Sequence, residues 1–213
     1  MYSGSYTAVV IAAGLSSRMH EFKPLLNIGG KPALLRLLDS INETGIDNIV
    51  IVTGYKHDVI EDTIKRTNIN RLLPIYNENY MLGMFSSVQA GISAVPDCDA
   101  ALLFPADVPL VSSATITGLI HTWEEGEGLP IDNIDAPFAV PIFEHQNGHP
   151  LLIPSVYFSE ITTYTGEGGL KAIRNRYAAD MIRYDSGDEG CILDVDTPED
   201  YNTLLKYYEQ KRK

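Results

Sequence analysis

Cysteine is scarce in this sequence: Cys98 and Cys191 are the only two, and no Cys-x-x-Cys motif is present. Such scarcity argues against a disulfide framework, and we expect both thiols to stay reduced in a cytoplasmic protein. The first residues carry neither a basic segment nor a signal-peptide core. No apolar run approaches the length that spans a bilayer, so no membrane partner is expected.

Positive charge is also scarce, because 16 Lys and Arg face 28 Asp and Glu, for a formal net charge of −12 at pH 7. A nucleic-acid-binding surface needs a basic face, so this balance argues against a nucleic-acid partner. Cations that bind an anionic substrate must therefore be local. The hydrophobic fraction of 45% suffices for a core, and a chain of 213 residues predicts one domain.

The common glycine motifs for phosphate binding are absent as well, since there is neither a P-loop nor a Gly-x-Gly-x-x-Gly fingerprint. In their place, a β-branched run at 9–11, typical of a buried strand, leads into small residues at 12–17. Small side chains let backbone N–H groups approach an anion, and Arg18 and Lys23 add two cations. The pattern predicts a triphosphate site; the alternative is an ordinary strand-to-helix loop with solvated cations.

Strand-like and helix-like stretches alternate along the first half of the chain. Further strands are predicted at 49–54, 72–76 and 100–104. Helices are predicted at 32–44, 58–67, 83–94 and 113–123. Such alternation indicates βαβ units and a mostly parallel sheet.

The second half of the chain has a different order of predicted strands and helices. An acidic loop over 124–135 precedes two strands at 136–143 and 151–153, and Asn147-Gly148 between them predicts the turn of an antiparallel hairpin. Short helices are expected at 156–162 and 170–176, a strand at 181–184 and a charged C-terminal helix at 198–211.

Three aspartates are candidate metal ligands. Asp107 follows a predicted strand, and in open α/β sheets ligands bind beyond the carboxyl ends of strands. Asp194 and Asp196 lie on the same side of an extended segment. Mg²⁺ prefers one or two carboxylates together with phosphate oxygens and water. The alternative roles are capping ones: Asp107 in a turn before Pro109, and Asp196 or Thr197 at the start of the last helix.

Several stretches resemble one family of enzymes, in the family's order and over nearly the whole chain. The segment 9–26, with Ala12-Ala13-Gly14 and Phe22-Lys23-Pro24-Leu25-Leu26, is similar to the signature loop of the nucleotidyltransferases of the molybdenum cofactor type, and is closest to the cytidylyltransferases. The family commonly has glycine where His20 stands, but the spacing to Lys23 is kept. Further similar stretches are Gly83-Met84-Phe85-Ser86-Ser87-Val88, Phe104-Pro105-Ala106-Asp107-Val108-Pro109-Leu110-Val111, Gly148-His149-Pro150-Leu151 and Asp194-Val195-Asp196-Thr197-Pro198.

The resemblance implies a single-domain α/β fold: a Rossmann-like three-layer α/β/α sandwich with a mostly parallel mixed sheet, of the nucleotide-diphospho-sugar transferase type. Within the one domain 1–213, the nucleotide-binding part is expected at about 6–112 and the acceptor-binding part at about 113–197, before the helix at 198–211. The implied Mg²⁺-dependent reaction moves CMP from CTP onto a molybdenum-bearing pterin phosphate and releases pyrophosphate. A transient contact with a molybdoenzyme or its chaperone is implied too.

The same resemblance implies the site residues. Catalytic roles fall to Arg18, Lys23 and Asp107, and acceptor binding to His149. Metal binding falls to Asp107 and Asp196, with Asp194 as a helper. Nucleotide binding falls to Ala12, Ala13, Gly14, Leu15, Ser16, Ser17, Arg18, Lys23, Gly83 and Ser86.

Three alternatives stay open. Gly83 and Ser86 could form a plain helix start in which a serine satisfies backbone donors. The enzyme could instead be a cytidylyl- or uridylyltransferase for a sugar, polyol or choline phosphate. It could also be a non-catalytic module that binds a nucleotide or cofactor.

Overall fold

The computed structural model describes residues 2–16, 19, 21–126, 136–177 and 180–212. Two predicted nucleotide-binding residues, Ser17 and Arg18, lie outside the described residues, and so does most of the predicted acidic loop at 124–135.

Strands and helices alternate, as the hydrophobic pattern predicts. The strands are β1 (Tyr6–Ala12), β2 (Asn27–Ile28), β3 (Lys31–Pro32), β4 (Asn48–Thr53), β5 (Leu72–Tyr76), β6 (Ala100–Pro105), β7 (Ala139–Phe143), β8 (Gln146–Asn147), β9 (Leu151–Pro154) and β10 (Ile182–Asp185). The helices are α1 (Ala33–Glu43), α2 (His57–Ile64), α3 (Met84–Ser93), α4 (Ser113–Glu125), α5 (Phe158–Thr163), α6 (Gly169–Arg176) and α7 (Pro198–Lys211). None of these described helices is both long enough and apolar enough to span a bilayer.

Within the described ranges, one mixed sheet has the strand order β10-β7-β9-β6-β1-β4-β5, with β8 paired to β7. The strands β5, β4, β1 and β6 are parallel, and β9 is antiparallel to both β6 and β7. From β1 the chain moves outward to β4 and β5 and then returns to place β6 on the other side of β1. This reversal creates a switch point between β1 and β6, where ligands bind in open α/β sheets.

Two apolar layers cover opposite faces of the sheet. The side chains of β1 alternate, with Ala8 and Val10 in one layer and Val9 and Ile11 in the other. The first layer contains buried residues of α1, α2 and α4, and the second contains those of α3, α5 and α6. This arrangement confirms the three-layer α/β/α sandwich with a mostly parallel mixed sheet.

The hairpin turn of the second half is not where the sequence predicts it. Glu144 and His145, with φ angles of 45° and 67°, form the turn between β7 and β8. The predicted turn at Asn147-Gly148 is therefore wrong, although the antiparallel relation of β7 and β9 is confirmed. Gly148 has another role: a Cβ there would lie 2.6 Å from the carbonyl oxygen of Cys191, so only glycine allows this approach.

A buried carboxylate fixes the segment that leads into α7. Oδ2 of Asp188 accepts hydrogen bonds from the backbone N–H of Ser112 at 2.9 Å and the hydroxyl of Thr115 at 2.7 Å. Oδ1 accepts from the hydroxyl of Tyr207 at 2.7 Å and the N–H of Gly190 at 3.1 Å. Burial acts to raise the pKa of Asp188, but these donors outweigh it and hold the pKa below its usual value. The carboxylate thus joins the start of α4 to α7.

We expect Asp188→Ala to lower the free energy of unfolding by at least about 2 kcal/mol, because several donors lose a charged acceptor. Urea denaturation followed by circular dichroism measures this loss. Asp185→Ala removes a nearby exposed carboxylate and is the matched control, with an expected change below about 0.5 kcal/mol. Equal stability of the two variants would contradict the structural role of Asp188.

Candidate active site

The loop after β1 bends back on itself at the switch point. Ser16 adopts a positive φ of 54°, and its hydroxyl oxygen accepts the backbone N–H of Lys23 at 3.1 Å. The carbonyl of Ser16 also accepts the N–H of Met19 at 3.1 Å. These two hydrogen bonds bring Lys23 back to the loop from which the chain left β1.

The ammonium of Lys23 joins two carboxylates that lie far apart in sequence. Nζ lies 2.5 Å from Oδ1 of Asp196 and 3.7 Å from Oδ2 of Asp107. Asp107 follows β6, and Asp196 precedes α7. The two segments are linked directly, because the backbone N–H of Val195 donates to the carbonyl of Asp107 at 2.9 Å. The signature loop, the end of β6 and the start of α7 therefore meet at one point.

Burial and repulsion between neighbouring carboxylates raise the pKa of two aspartates in this cluster. Burial raises the pKa of Asp107, Lys23 opposes that rise, and Asp194 and Asp196 add to it. Burial and the charges of Asp196 and Asp200 likewise raise the pKa of Asp194. The cluster therefore favours a cation.

The donor set suits a divalent metal that arrives together with phosphate. Asp107 and Asp196 already face a common cation, and Mg²⁺ prefers one or two carboxylates completed by phosphate oxygens and water. No group of three or more His, Cys, Asp or Glu side chains is assembled as a metal cluster within the described ranges. The third candidate, Asp194, makes no ion pair with Lys23, and it lines a cavity beside the cluster.

Two adjoining cavities open at this edge of the sheet, one of about 460 Å³ and one of about 510 Å³. They share the residues Ile11, Gly14, Leu15, Ser16, Lys23, Met84, Pro105 and Asp107. The first cavity is also lined by Ala12, Ala13, Pro24, Tyr80, Met81, Gly83, Ser87 and Ala106. The second is also lined by Leu103, Val108, Gln146, Asn147, His149, Ile192, Asp194 and Asp196. The shared residues place the ion-paired cluster between two binding volumes.

At the start of α3, only one of the two predicted nucleotide-binding residues, Gly83 and Ser86, lines the first cavity. Gly83, with a φ of 102°, lines the cavity. The hydroxyl of Ser86 instead lies within hydrogen-bond distance of the carbonyls of Asn79 and Gly83, and it accepts from Nδ2 of Asn77 at 3.0 Å. Among the described residues, Ser87 rather than Ser86 lines this cavity. The adjacent serines gave no signal in sequence that would distinguish the two.

His149 lies in the second cavity, away from the ion-paired cluster in sequence but on the same edge of the sheet. Burial and the nearby charge of Arg174 lower the pKa of His149 to about 4. The imidazole is therefore uncharged at neutral pH. Gln146 and Asn147, which the sequence did not single out, line the same cavity.

Both the sequence and the fold are similar to those of known proteins. The family model of the MobA-like NTP transferase domain matches residues 8–181. A curated relative, the bifunctional protein GlmU of Blochmanniella pennsylvanica, is 34% identical over 120 residues, which make up 54% of this chain and 25% of that protein. The chain thus spans about a quarter of the length of this relative.

Solved structures match over nearly the whole chain. A nucleotidyl transferase from Methanothermobacter, Mth528, has a TM-score of 0.80 at 18% identity and covers 97% of this chain and 99% of its own. Rv0371c of Mycobacterium tuberculosis has a TM-score of 0.76 at 23% identity, with 95% and 98% covered. Rv0371c also matches as a complex with manganese, at a TM-score of 0.71. At these identities the likeness concerns the fold.

We expect Lys23→Met to bind Mn²⁺ at least about tenfold more tightly than the unaltered chain when no nucleotide is present, because Lys23 neutralises the two carboxylates that a dication would need. Titration of the free Mn²⁺ signal by electron paramagnetic resonance measures this affinity.

The matched control is Lys31→Met, which removes the same charge where Lys31 pairs with Asp39. A gain of equal size in the control would contradict a local effect. Asp196→Asn added to Lys23→Met should abolish the gain, since it removes one of the two carboxylates.

Proposed function

Because this chain belongs to the family of MobA-like NTP transferase domains, we propose that it is a nucleotidyltransferase that moves CMP from CTP onto the phosphate of a molybdenum-bearing pterin. The observation that carries this proposal is the meeting of Lys23, Asp107 and Asp196 between two adjoining cavities. One cavity would hold the nucleotide and the other the acceptor, with the reacting phosphates beside the cluster.

The reaction requires the protein to position the two phosphates and to neutralise their negative charge. An acceptor phosphate is ionised near neutral pH, so its oxygen needs no strong general base to attack the α-phosphorus. The new P–O bond forms as the bond to pyrophosphate breaks in line. Lys23 already has two anionic partners, and a triphosphate offers it competing oxygens. Bound to the triphosphate, Lys23 would stabilise negative charge at the α-phosphate and on the leaving oxygen.

The loop after β1 would hold the rest of the triphosphate. Backbone N–H groups of the segment 13–17, with the guanidinium of Arg18, would bind the β- and γ-phosphates. Asp107 and Asp196, with Asp194 as a helper, would hold Mg²⁺, which would supply positive charge to the reacting phosphates when bound. The manganese complex of the mycobacterial relative supports a divalent metal in this fold.

The choice of substrates is supported by features of both cavities. Ala12-Ala13-Gly14 stands where the guanylyl members of the family have a Gly-Gly pair, and this favours CTP. In the second cavity, Leu103 and Ile192 are apolar, while Gln146 and Asn147 bring amide groups. A flat heteroaromatic ring with a polar edge suits such a lining. We further propose the division into a nucleotide part, 6–112, and an acceptor part, 113–197, and delivery of the product to a molybdoenzyme or its chaperone.

A second candidate is a cytidylyl- or uridylyltransferase for a sugar, polyol or choline phosphate. The same amide and carboxylate side chains in the second cavity also suit the hydroxyl groups of a sugar or polyol. A third candidate, a non-catalytic binding module, has little need of a lysine shared between two carboxylates.

The three candidates differ in an assay of pyrophosphate release. CTP, GTP and UTP are each combined with Mg²⁺ and with the molybdenum-bearing pterin phosphate, or with sugar, polyol and choline phosphates. We expect turnover with CTP and the pterin phosphate. Turnover confined to a sugar, polyol or choline phosphate would select the second candidate. Calorimetric binding of CTP without turnover on any acceptor would select the third.

We expect Lys23→Ala to lower kcat by at least about a hundredfold, because it removes a charge that acts on the transition state. The KM for CTP should rise by less than about tenfold, since the loop amides still bind the triphosphate. Steady-state pyrophosphate release measures both. Lys31→Ala should leave both constants unchanged, and an unaltered kcat in Lys23→Ala would refute the role of Lys23.

A further inference from the structure

His149 lines the second cavity, and one nitrogen of its imidazole has no partner among the described residues. Nδ1 is sealed from solvent and has no hydrogen-bond partner among the described residues. The residue as a whole is only partly buried, and it lines the second cavity. Of the two ring nitrogens, Nε2 is therefore the one that could meet a molecule in the cavity.

The backbone on both sides of the ring is fixed. The N–H of His149 donates to the carbonyl of Cys191 at 2.8 Å, and Gly148 packs against the same residue. Leu151, which follows the buried Pro150, begins β9 inside the sheet. The main chain that carries the ring therefore has a defined position at the cavity.

The proton of the neutral ring has one favourable position. A buried N–H group without an acceptor is rare in folded proteins, whereas an underused lone pair is tolerated more often. A proton on Nε2 can instead be donated to water or to a molecule in the cavity. The surroundings thus favour the Nε2–H form, with the Nδ1 lone pair turned toward the protein.

We propose that His149 is a specificity-determining residue that donates one hydrogen bond from Nε2 to an uncharged lone pair on the body of the acceptor, and that it does not bind the acceptor's phosphate. This inference rests on the proposed function. An uncharged ring offers a phosphate no charge, whereas Lys23 brings a positive charge to the same cavity. The recognised group is a carbonyl oxygen, a ring nitrogen or a hydroxyl oxygen.

A selection among acceptors follows from this chemistry. A heteroaromatic or sugar acceptor presents such a lone pair, but the trimethylammonium end of choline phosphate presents none. An acceptor without it would leave the donor unpaired in a partly closed cavity, which is the arrangement that discriminates strongly between related substrates. Choline phosphate is therefore disfavoured.

The state of the ring is measured first, by long-range ¹H–¹⁵N NMR of the full chain labelled at histidine, with the His149 signal assigned from its absence in His149→Gln. We expect a neutral Nε2–H ring at pH 7. An imidazolium or an Nδ1–H ring at that pH overturns the inference, whatever reaction the protein catalyses.

Two amide variants then test the donor. The amide of His149→Gln reaches about as far as Nε2, whereas that of His149→Asn ends near the position of Nδ1. We expect the KM for the pterin phosphate to rise roughly tenfold in His149→Asn and to stay within about threefold in His149→Gln. The KM for CTP should change in neither. His145→Gln, on the exposed turn of the same hairpin, is the control.

Equal KM values for His149→Asn and His149→Gln overturn the donor role. If no acceptor of the panel turns over, the proposed function fails, and titration of the same acceptors into the labelled chain decides the inference separately. A shift of the His149 Nε2 signal with the pterin or a sugar phosphate, and none with choline phosphate, supports it. The absence of any shift overturns it.

Discussion

The ammonium of Lys23 is the cation on which the arrangement of the site depends. It neutralises Asp107 and Asp196, whose carboxylates would otherwise repel each other at a partly buried point. A single positive charge thereby holds together a loop, a strand end and a helix start. Because the chain has a formal net charge of −12, this cation contributes strongly to the electrostatic potential around it. Under the proposed function, a dication would take the place of the ammonium beside the two carboxylates, and the triphosphate would offer the ammonium new anionic oxygens.

Hydrogen bonds that do not involve Lys23 also help to position the two aspartates of the cluster. Asp107 continues β6 past the switch point, and the backbone bond from Val195 holds the last acidic segment beside it. Earlier in the chain, Asp188 joins that segment to α4 and α7 through buried hydrogen bonds. Thr197 and Asp200 form a capping box at the start of α7. The capping role considered for this segment is thus carried by Thr197, which leaves the carboxylate of Asp196 to Lys23.

Much of the fold could be predicted from local patterns. Runs of apolar and β-branched residues predicted the strands and helical spacing of apolar residues predicted the helices, because each pattern reflects how the element is buried. The turn in the second half was placed wrongly, because Asn147-Gly148 is a strong local signal that the contact of Gly148 with Cys191 overrides. Similarly, Ser86 rather than Ser87 was assigned to the cavity, since only the hydrogen bonds of Asn77, Asn79 and Gly83 show which way each hydroxyl faces.

By itself, the sequence determined the alternation of strands and helices, the small-residue loop with its cations, and the two acidic segments, since each is a short-range pattern of side-chain size and charge. Only the tertiary structure decided which of these groups meet. Lys23 and Asp196 are 173 residues apart, and the sheet order that brings them together depends on how the strands cross over. The uncharged state of His149 was also decided by the fold. Burial lowers its pKa, and so does Arg174, which is remote in sequence but near in space.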